Sequence, residues 1–155
     1  MTTADNSTRD VLRHAGPRSP DVPWSTLAAI SAGGVIGALA RFGLATAFPH
    51  PAGSFAWTTF WINVSGCLLI GVLMVLVTEA GQAHHLVRPF LGVGILGGFT
   101  TFSTYIVEIQ HALRAGEPRT ALAYLAGTLV SALFAVYAGV LLTRLITGRH
   151  RKDRS

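Results

Sequence analysis

The chain has 155 residues, of which 50% are hydrophobic and 12% carry a charged side chain. This composition is typical of an integral membrane protein of one domain. The net charge of +5 does not indicate a nucleic-acid partner, because much of it lies beside the last apolar segment, where it indicates contact with anionic lipid. The basic residues of that cluster are Arg144, Arg149, Arg151, Lys152 and Arg154.

We divide the chain into three parts. Residues 1–23 are polar and mixed in charge, which predicts a disordered tail. They contain no apolar stretch directly after a basic start, so we expect no cleavable signal peptide. Residues 24–147 form the predicted membrane domain with four transmembrane helices, and residues 148–155 form a basic tail.

The first predicted span covers about residues 25–48 and is apolar except for Arg41. Gly33 and Gly37 form a GxxxG pair, which favours the close approach of another helix. Arg41 has two interpretations. Its head group extends to the membrane interface, or it is an anchor or anion-attracting charge near a pore mouth.

The second predicted span covers about residues 57–78 and carries no charge. Trp57 and Trp61 at its start are typical of the membrane interface. Asn63 lies inside the span, where an unpaired amide is costly. The asparagine therefore either bonds another helix or donates into a polar path.

The third predicted span, about residues 89–111, contains the stretch GGFTTFST at residues 97–104. Each of two adjacent glycines weakens a helix by about 1 kcal/mol relative to alanine, and threonine hydroxyls compete for backbone partners. We therefore predict a helix that breaks near Gly97 at mid-membrane and restarts near Thr101. The free carbonyls of such a break suit a cation and its free N–H groups suit an anion. The alternative is a Gly/Thr-rich face for helix packing.

The fourth predicted span covers about residues 120–143. Tyr124, Thr128 and Ser131 lie on one face of this helix, where they line a pore or bond other helices. The sequence holds no phosphate loop, zinc-binding spacing or nucleophile–base arrangement, so we do not expect an enzyme.

Three motifs on these spans are specific in combination: GGVIGALAR at 33–41, WINVSGCLLIG at 61–71 and GGFTTFST at 97–104. Together they resemble the CrcB/Fluc family of fluoride channels, over about residues 26–145. The resemblance implies passive export of fluoride across the cell membrane of a bacterium. It also implies an all-α membrane fold in which four-span subunits form an antiparallel, dual-topology dimer with two fluoride pathways.

The resemblance further assigns candidate residues. It implies a structural sodium ion at the dimer centre, held by backbone carbonyls at the positions of Gly97 and Thr100. Tyr105 occupies the position of a second pathway phenylalanine, which is a departure that adds a hydroxyl. The other positions that match fluoride-pathway residues are Arg41, Asn63, Phe102, Glu108, Tyr124 and Thr128.

The residue chemistry supports a fluoride path independently. Fluoride is small and tightly hydrated, so a selective path must replace its water with close donors, such as Asn63 and the hydroxyls of Thr101, Ser103 and Thr104. Aromatic ring edges carry partial positive charge, so Phe102 can meet an anion edge-on. Phe102, Tyr105 and Glu108 recur every three residues and share one helix face, although Phe102 is alternatively a packed core aromatic.

Two other functions are compatible with four short spans. A small proton-coupled multidrug transporter requires a carboxylate deep in a span, whereas the first span holds Arg41 and Glu108 lies toward a span end. A non-conducting scaffold subunit would use the glycines and polar residues only for packing.

The distribution of basic residues predicts the orientation. Nine Lys and Arg residues lie on the side of both termini and the second link, and two, Arg114 and Arg119, lie on the other side. We therefore expect most copies to insert with both termini in the cytoplasm. An antiparallel dimer then requires a minority of copies in the opposite orientation, forming a homodimer, or a second, oppositely oriented subunit, forming a heterodimer.

Overall fold

The computed structural model describes residues 23–51, 53–79 and 84–152, and all regular secondary structure in these ranges is helical. Helix α1 is Trp24–Ala47 and helix α2 is Trp57–Glu79. The third span begins with a π-helix, Arg88–Leu96, which continues into one α-helical turn, Gly97–Phe99; we call the two together α3. Helix α4 is Ser103–Arg114 and helix α5 is Pro118–Lys152.

Four segments of the described chain are long and apolar enough to cross a membrane. A helix needs about 20 apolar residues to cross a hydrocarbon core of about 30 Å. The segments are Trp24–Ala47, Trp57–Thr78, Arg88–Arg114 and Pro118–Thr147, which confirms the four predicted spans. Helix α5 continues to residue 152, so part of the predicted basic tail is helical. The predicted disordered tail lies outside the described residues, apart from Pro23.

The helices pack as two pairs. Helix α1 packs along α3, and α2 packs along α5, while α1 and α2 barely contact each other. The α1–α3 contact depends on glycine, because a Cβ atom on Gly94 would lie 2.9 Å from the Gly33 Cα atom. A Cβ atom on Gly37 would overlap the carbonyl oxygen of Ile95. The GxxxG pair therefore forms a contact between backbones within the subunit.

The interruption of the third span lies later than predicted. Gly97 and Gly98 are helical, and the extended backbone begins at Thr100, with φ −76° and ψ 157°. A Cβ atom on Gly98 would overlap the carbonyl oxygen of Gly34. The break was predicted near Gly97 and the restart near Thr101, whereas the extended backbone begins at Thr100 and α4 begins at Ser103. The interruption lies two to three residues later than predicted, because Gly97 and Gly98 remain helical where α3 packs on α1.

Two links meet at one end of the subunit. Gly53, in the link between α1 and α2, has φ 83°, and a Cβ atom there would lie 2.9 Å from the Ala115 Cβ atom. Gly116, with φ 78°, follows the end of α4, where Glu117 N donates to Ala112 O at 2.9 Å. Both positive φ values favour glycine. The buried core lies beneath this end and comprises Ala56, Phe60, Tyr105, Ile109, Ala112, Ala121 and Tyr124.

Candidate functional site: the interrupted third span and its groove

Asn63 holds the interruption of the third span from the side of α2. Its Nδ2 donates to Thr101 O at 2.9 Å, and Thr101 N donates to its Oδ1 at 2.8 Å. The side-chain amide thus replaces both backbone partners that a continuous helix would give Thr101. The primary amide carries two N–H donors and one is used here, so a second remains for another acceptor.

Three hydroxyls cluster where α4 begins. Thr104 N donates to Thr101 Oγ1 at 3.1 Å, so Thr101 satisfies one of the free N–H groups of the helix N-terminus. The same hydroxyl donates to Thr104 Oγ1 at 3.1 Å and lies 3.3 Å from Ser103 Oγ. The hydroxyl donors predicted at Thr101, Ser103 and Thr104 therefore lie together.

The end of α3 presents carbonyl oxygens. Leu96 O accepts from both the backbone N and Oγ1 of Thr100, at 3.0 and 2.9 Å. Gly98 O accepts from Arg41 Nε at 3.2 Å. No described residue donates to the carbonyl oxygens of Gly97 or Thr100, the two positions predicted for sodium. Unpartnered backbone oxygens are the ligand type that a hard cation takes, so these residues fit the predicted ion.

A groove of about 350 Å³ opens between α2, α3, α4 and α5. Its polar wall contains Asn63, Thr100, Thr101 and Thr128, and none of its lining residues is charged. Thr128 is 5% exposed, and its hydroxyl is the one buried side-chain polar atom without a partner in the described part of the chain. An unpaired buried hydroxyl is costly, which makes it a candidate contact for a ligand in the groove.

The aromatic residues of the groove divide into an exposed and a buried member. Phe102 is 75% exposed and its ring centroid lies 5.9 Å from that of Tyr105, which is 8% exposed. The Tyr105 hydroxyl donates to Leu125 O at 2.7 Å on α5. The hydroxyl that distinguishes Tyr105 from a phenylalanine is thus bonded to the neighbouring helix.

Glu108 lies beyond the groove, further along α4. Its Oε2 accepts from the Tyr124 hydroxyl at 2.6 Å, and its Oε1 accepts from Thr59 Oγ1 at 2.8 Å. The Nε2 atom of His50 lies 3.7 Å from Oε1. Within the described ranges, no group of three or more His, Cys, Asp or Glu side chains that could hold a metal ion occurs.

The groove wall holds six of the predicted site residues: Asn63, Gly97, Thr100, Phe102, Tyr105 and Thr128. Ser103 and Thr104 lie beside Thr101 at the start of α4, and Glu108 and Tyr124 bond each other beyond the groove. Arg41 does not line the groove and instead binds Gly98 O, so it anchors the end of α3. Ala132, rather than Ser131, continues the groove wall beyond Thr128.

Sequence reasoning missed two partners of Glu108. Thr59 could have been found, because it lies one helical turn before Asn63 on the same face of α2. His50 lies in a link, where no spacing rule pointed to it.

These features define a class: a multi-pass α-helical membrane protein whose interrupted third span borders an uncharged groove. Residues 28–140 match the family model described as CrcB-like protein, Camphor Resistance (CrcB). The chain belongs to this family, which confirms the predicted resemblance.

Its relatives are bacterial. The chain is 52% identical over 138 residues to a protein of Nocardia farcinica named fluoride-specific ion channel FluC 2, covering 89% of this chain and 99% of that protein. It is 59% identical over 103 residues to a Streptomyces avermitilis protein of the same name, covering 66% of this chain and 65% of that protein. It is 51% identical over 118 residues to a Streptomyces coelicolor protein named fluoride-specific ion channel FluC 1, covering 74% of this chain and 77% of that protein.

Proposed function

We propose that the protein is a fluoride-specific channel, without enzymatic activity, that lets fluoride leave a bacterial cell passively through the groove beside the interrupted span. One observation carries this proposal: the groove combines the spare Asn63 N–H and the unpartnered Thr128 hydroxyl with aromatic rings, and it contains no full charge. Neutral donors can replace the water around a small anion without trapping it, and conduction requires such release. The names of the relatives agree with this substrate.

Phe102 is the aromatic contact for fluoride in this proposal. Its ring is largely exposed in the single subunit, so its edge is available to an ion or to a second subunit. Fluoride passes the ring edge and the donors of Asn63, Ser103, Thr104 and Thr128, and then the pair Glu108 and Tyr124 at the mouth. Tyr105 lies behind Phe102 and supports its ring.

The functional unit is an antiparallel dimer in this proposal, with the interruption of each third span at mid-membrane. Free backbone groups at that depth are tolerated only where protein or a wet cavity covers them, and a second subunit supplies that cover. The second subunit is another copy of this chain or an oppositely oriented relative. Two relatives from one bacterium, Streptomyces avermitilis, are named FluC 2 and FluC 3, which supports the existence of more than one such subunit in a cell.

A sodium ion lies between the two interruptions in this proposal. Each subunit contributes the carbonyl oxygens of Gly97 and Thr100, which lack a described donor. An ion bound there supplies positive charge at the centre of the dimer. Arg41 binds the neighbouring Gly98 carbonyl and so keeps α3 in position for that site. A high-resolution map of the dimer tests this assignment, because density with four oxygen neighbours is expected between the interruptions.

Fluoride efflux from proteoliposomes tests the proposed function. Vesicles loaded with potassium fluoride, reconstituted with the purified protein and treated with valinomycin, are expected to release fluoride rapidly, whereas vesicles loaded with chloride release little chloride. Absence of fluoride release from folded protein contradicts the proposal. Release that depends on an opposing proton gradient indicates a coupled transporter, although the groove wall contains no carboxylate for that mechanism.

A further inference from the structure

The Glu108 carboxylate has three neighbours, and they come from three different elements. Tyr124 on α5 and Thr59 on α2 donate their hydroxyls to its two oxygens, at 2.6 and 2.8 Å. The third neighbour is His50 in the link between α1 and α2, whose Nε2 lies 3.7 Å from Oε1. The Glu108 side chain is 12% exposed and the His50 side chain is 29% exposed, so the subunit itself does not fully cover the pair.

The link holds its place beside the carboxylate through two contacts. Thr58 Oγ1 donates to Phe48 O at 2.6 Å, which ties the end of α1 to the start of α2. The Phe55 ring packs edge-on against the Tyr124 ring, with centroids 5.1 Å apart and an interplanar angle of 84°. The link that carries His50 is therefore held against α2, which bears Thr59, and against α5, which bears Tyr124.

Of the three side-chain types beside Glu108, only histidine ordinarily changes charge near neutral pH. Threonine does not titrate and a phenol ordinarily ionises near pH 10, whereas histidine changes charge between about pH 5 and 8. In the described part of the chain, no other titratable group makes a hydrogen bond or ion pair with this carboxylate. The charged groups nearest in sequence at this end are His111, Arg114, Glu117 and Arg119.

We propose that His50 is a further residue of the fluoride path, in which the charge of its imidazole controls anion entry past Glu108; this inference rests on the proposed function. A carboxylate without a cationic partner repels an approaching anion. Protonated His50 offsets that charge at 3.7 Å, so the mouth admits fluoride more readily. Histidine side chains in general change charge between about pH 5 and 8. Flux is therefore high at acidic pH and falls at alkaline pH.

Fluoride efflux at several symmetric pH values tests the inference. Proteoliposomes with valinomycin are compared at about pH 5.5 and about pH 8, which bracket histidine titration. Protein-free vesicles correct for leak of undissociated hydrogen fluoride. The variants are His50→Gln, which cannot take a charge, and His50→Lys, which keeps one. His111→Gln is the matched control, because His111 lies exposed on α4 one turn after Glu108.

Wild-type flux is expected to be roughly fivefold higher at the acidic value, as follows for one charge pair in a wet site. His50→Gln is expected to show low flux and His50→Lys high flux, both independent of pH, while His111→Gln follows the wild type. Robust wild-type flux without a pH step, or a step that survives in His50→Gln, overturns the inference alone. No flux from folded wild-type protein at any pH overturns the proposed function itself.

Discussion

The two halves of the third span are positioned by different kinds of contact. Helix α3 lies against α1 with backbone touching backbone, at Gly33, Gly94 and Gly98. Helix α4 is attached to its neighbours by side chains, through the bonds of Tyr105 to Leu125 and of Glu108 to Tyr124. A backbone contact tolerates no added atom, whereas a side-chain bond can be lost at moderate cost. We therefore expect substitutions in the α1–α3 contact to affect folding, and substitutions around α4 to affect flux first.

The largest expected effect is that of Gly37→Ala. The added Cβ atom would overlap the Ile95 carbonyl oxygen, so α3 must move away from α1, at a cost of about 3 kcal/mol or more. Thermal unfolding in detergent and the monodisperse fraction on size exclusion measure this loss.

Gly43→Ala is the matched control for Gly37→Ala. It lies on the same helix, and its Cβ atom would meet nothing within 4 Å, so its stability stays equal or rises by up to about 1 kcal/mol. Equal stability of the two variants would contradict the proposed difference between the halves of the span.

The next effect is that of Asn63→Leu, which removes both bonds to Thr101. Each of the two Thr101 backbone groups left without a hydrogen-bond partner costs about 1–3 kcal/mol. The variant also loses the Asn63 amide as a donor to fluoride. Asn63→Asp keeps an acceptor for Thr101 N and is expected to be intermediate in stability. Both variants are expected to lose fluoride flux at least roughly tenfold, as for a lost donor in a dry path. Normal flux in either variant means that Asn63 only holds the interruption.

Thr128→Val separates flux from stability. The Thr128 hydroxyl has no described partner, so its removal at constant shape leaves the stability unchanged or slightly higher. Flux is expected to fall several-fold, since the variant removes a donor that the proposed path uses.

Thr143→Val is the control for Thr128→Val, because Thr143 is also buried on α5 and its hydroxyl donates to Gly139 O at 2.8 Å. This control is expected to conduct normally. A drop in stability of Thr128→Val equal to that of the control would indicate that the Thr128 hydroxyl has a partner in the dimer.

The smallest effect is expected for Tyr105→Phe. This variant loses the bond to Leu125 O, at a cost of about 1 kcal/mol, and keeps the ring beside Phe102. Flux is expected to stay near that of the wild type. Tyr105→Ile also loses the ring contact with Tyr124, whose centroid lies 5.2 Å away, and is expected to reduce both stability and flux. A loss of flux in Tyr105→Phe as large as that in Tyr105→Ile would show that the hydroxyl itself serves the path.

The sequence by itself determined the four spans and the family. Entry of a segment into hydrocarbon depends on the summed transfer energies of its own residues, so apolar length predicts a span without knowledge of its neighbours. The three motifs likewise indicated the region that matters, including Asn63 and Phe102 in the groove wall.

Only the tertiary structure decided where the third span is interrupted and how its polar groups are paired. Thr101 leaves the helical pattern because Asn63, 38 residues earlier, takes its N–H and carbonyl, while Gly97 and Gly98 stay helical where α3 packs on α1. The contact of His50 with Glu108 likewise joins a link to a helix 58 positions later. Hydrogen bonds and close packing depend on distances between separate elements, which no local pattern of residues contains.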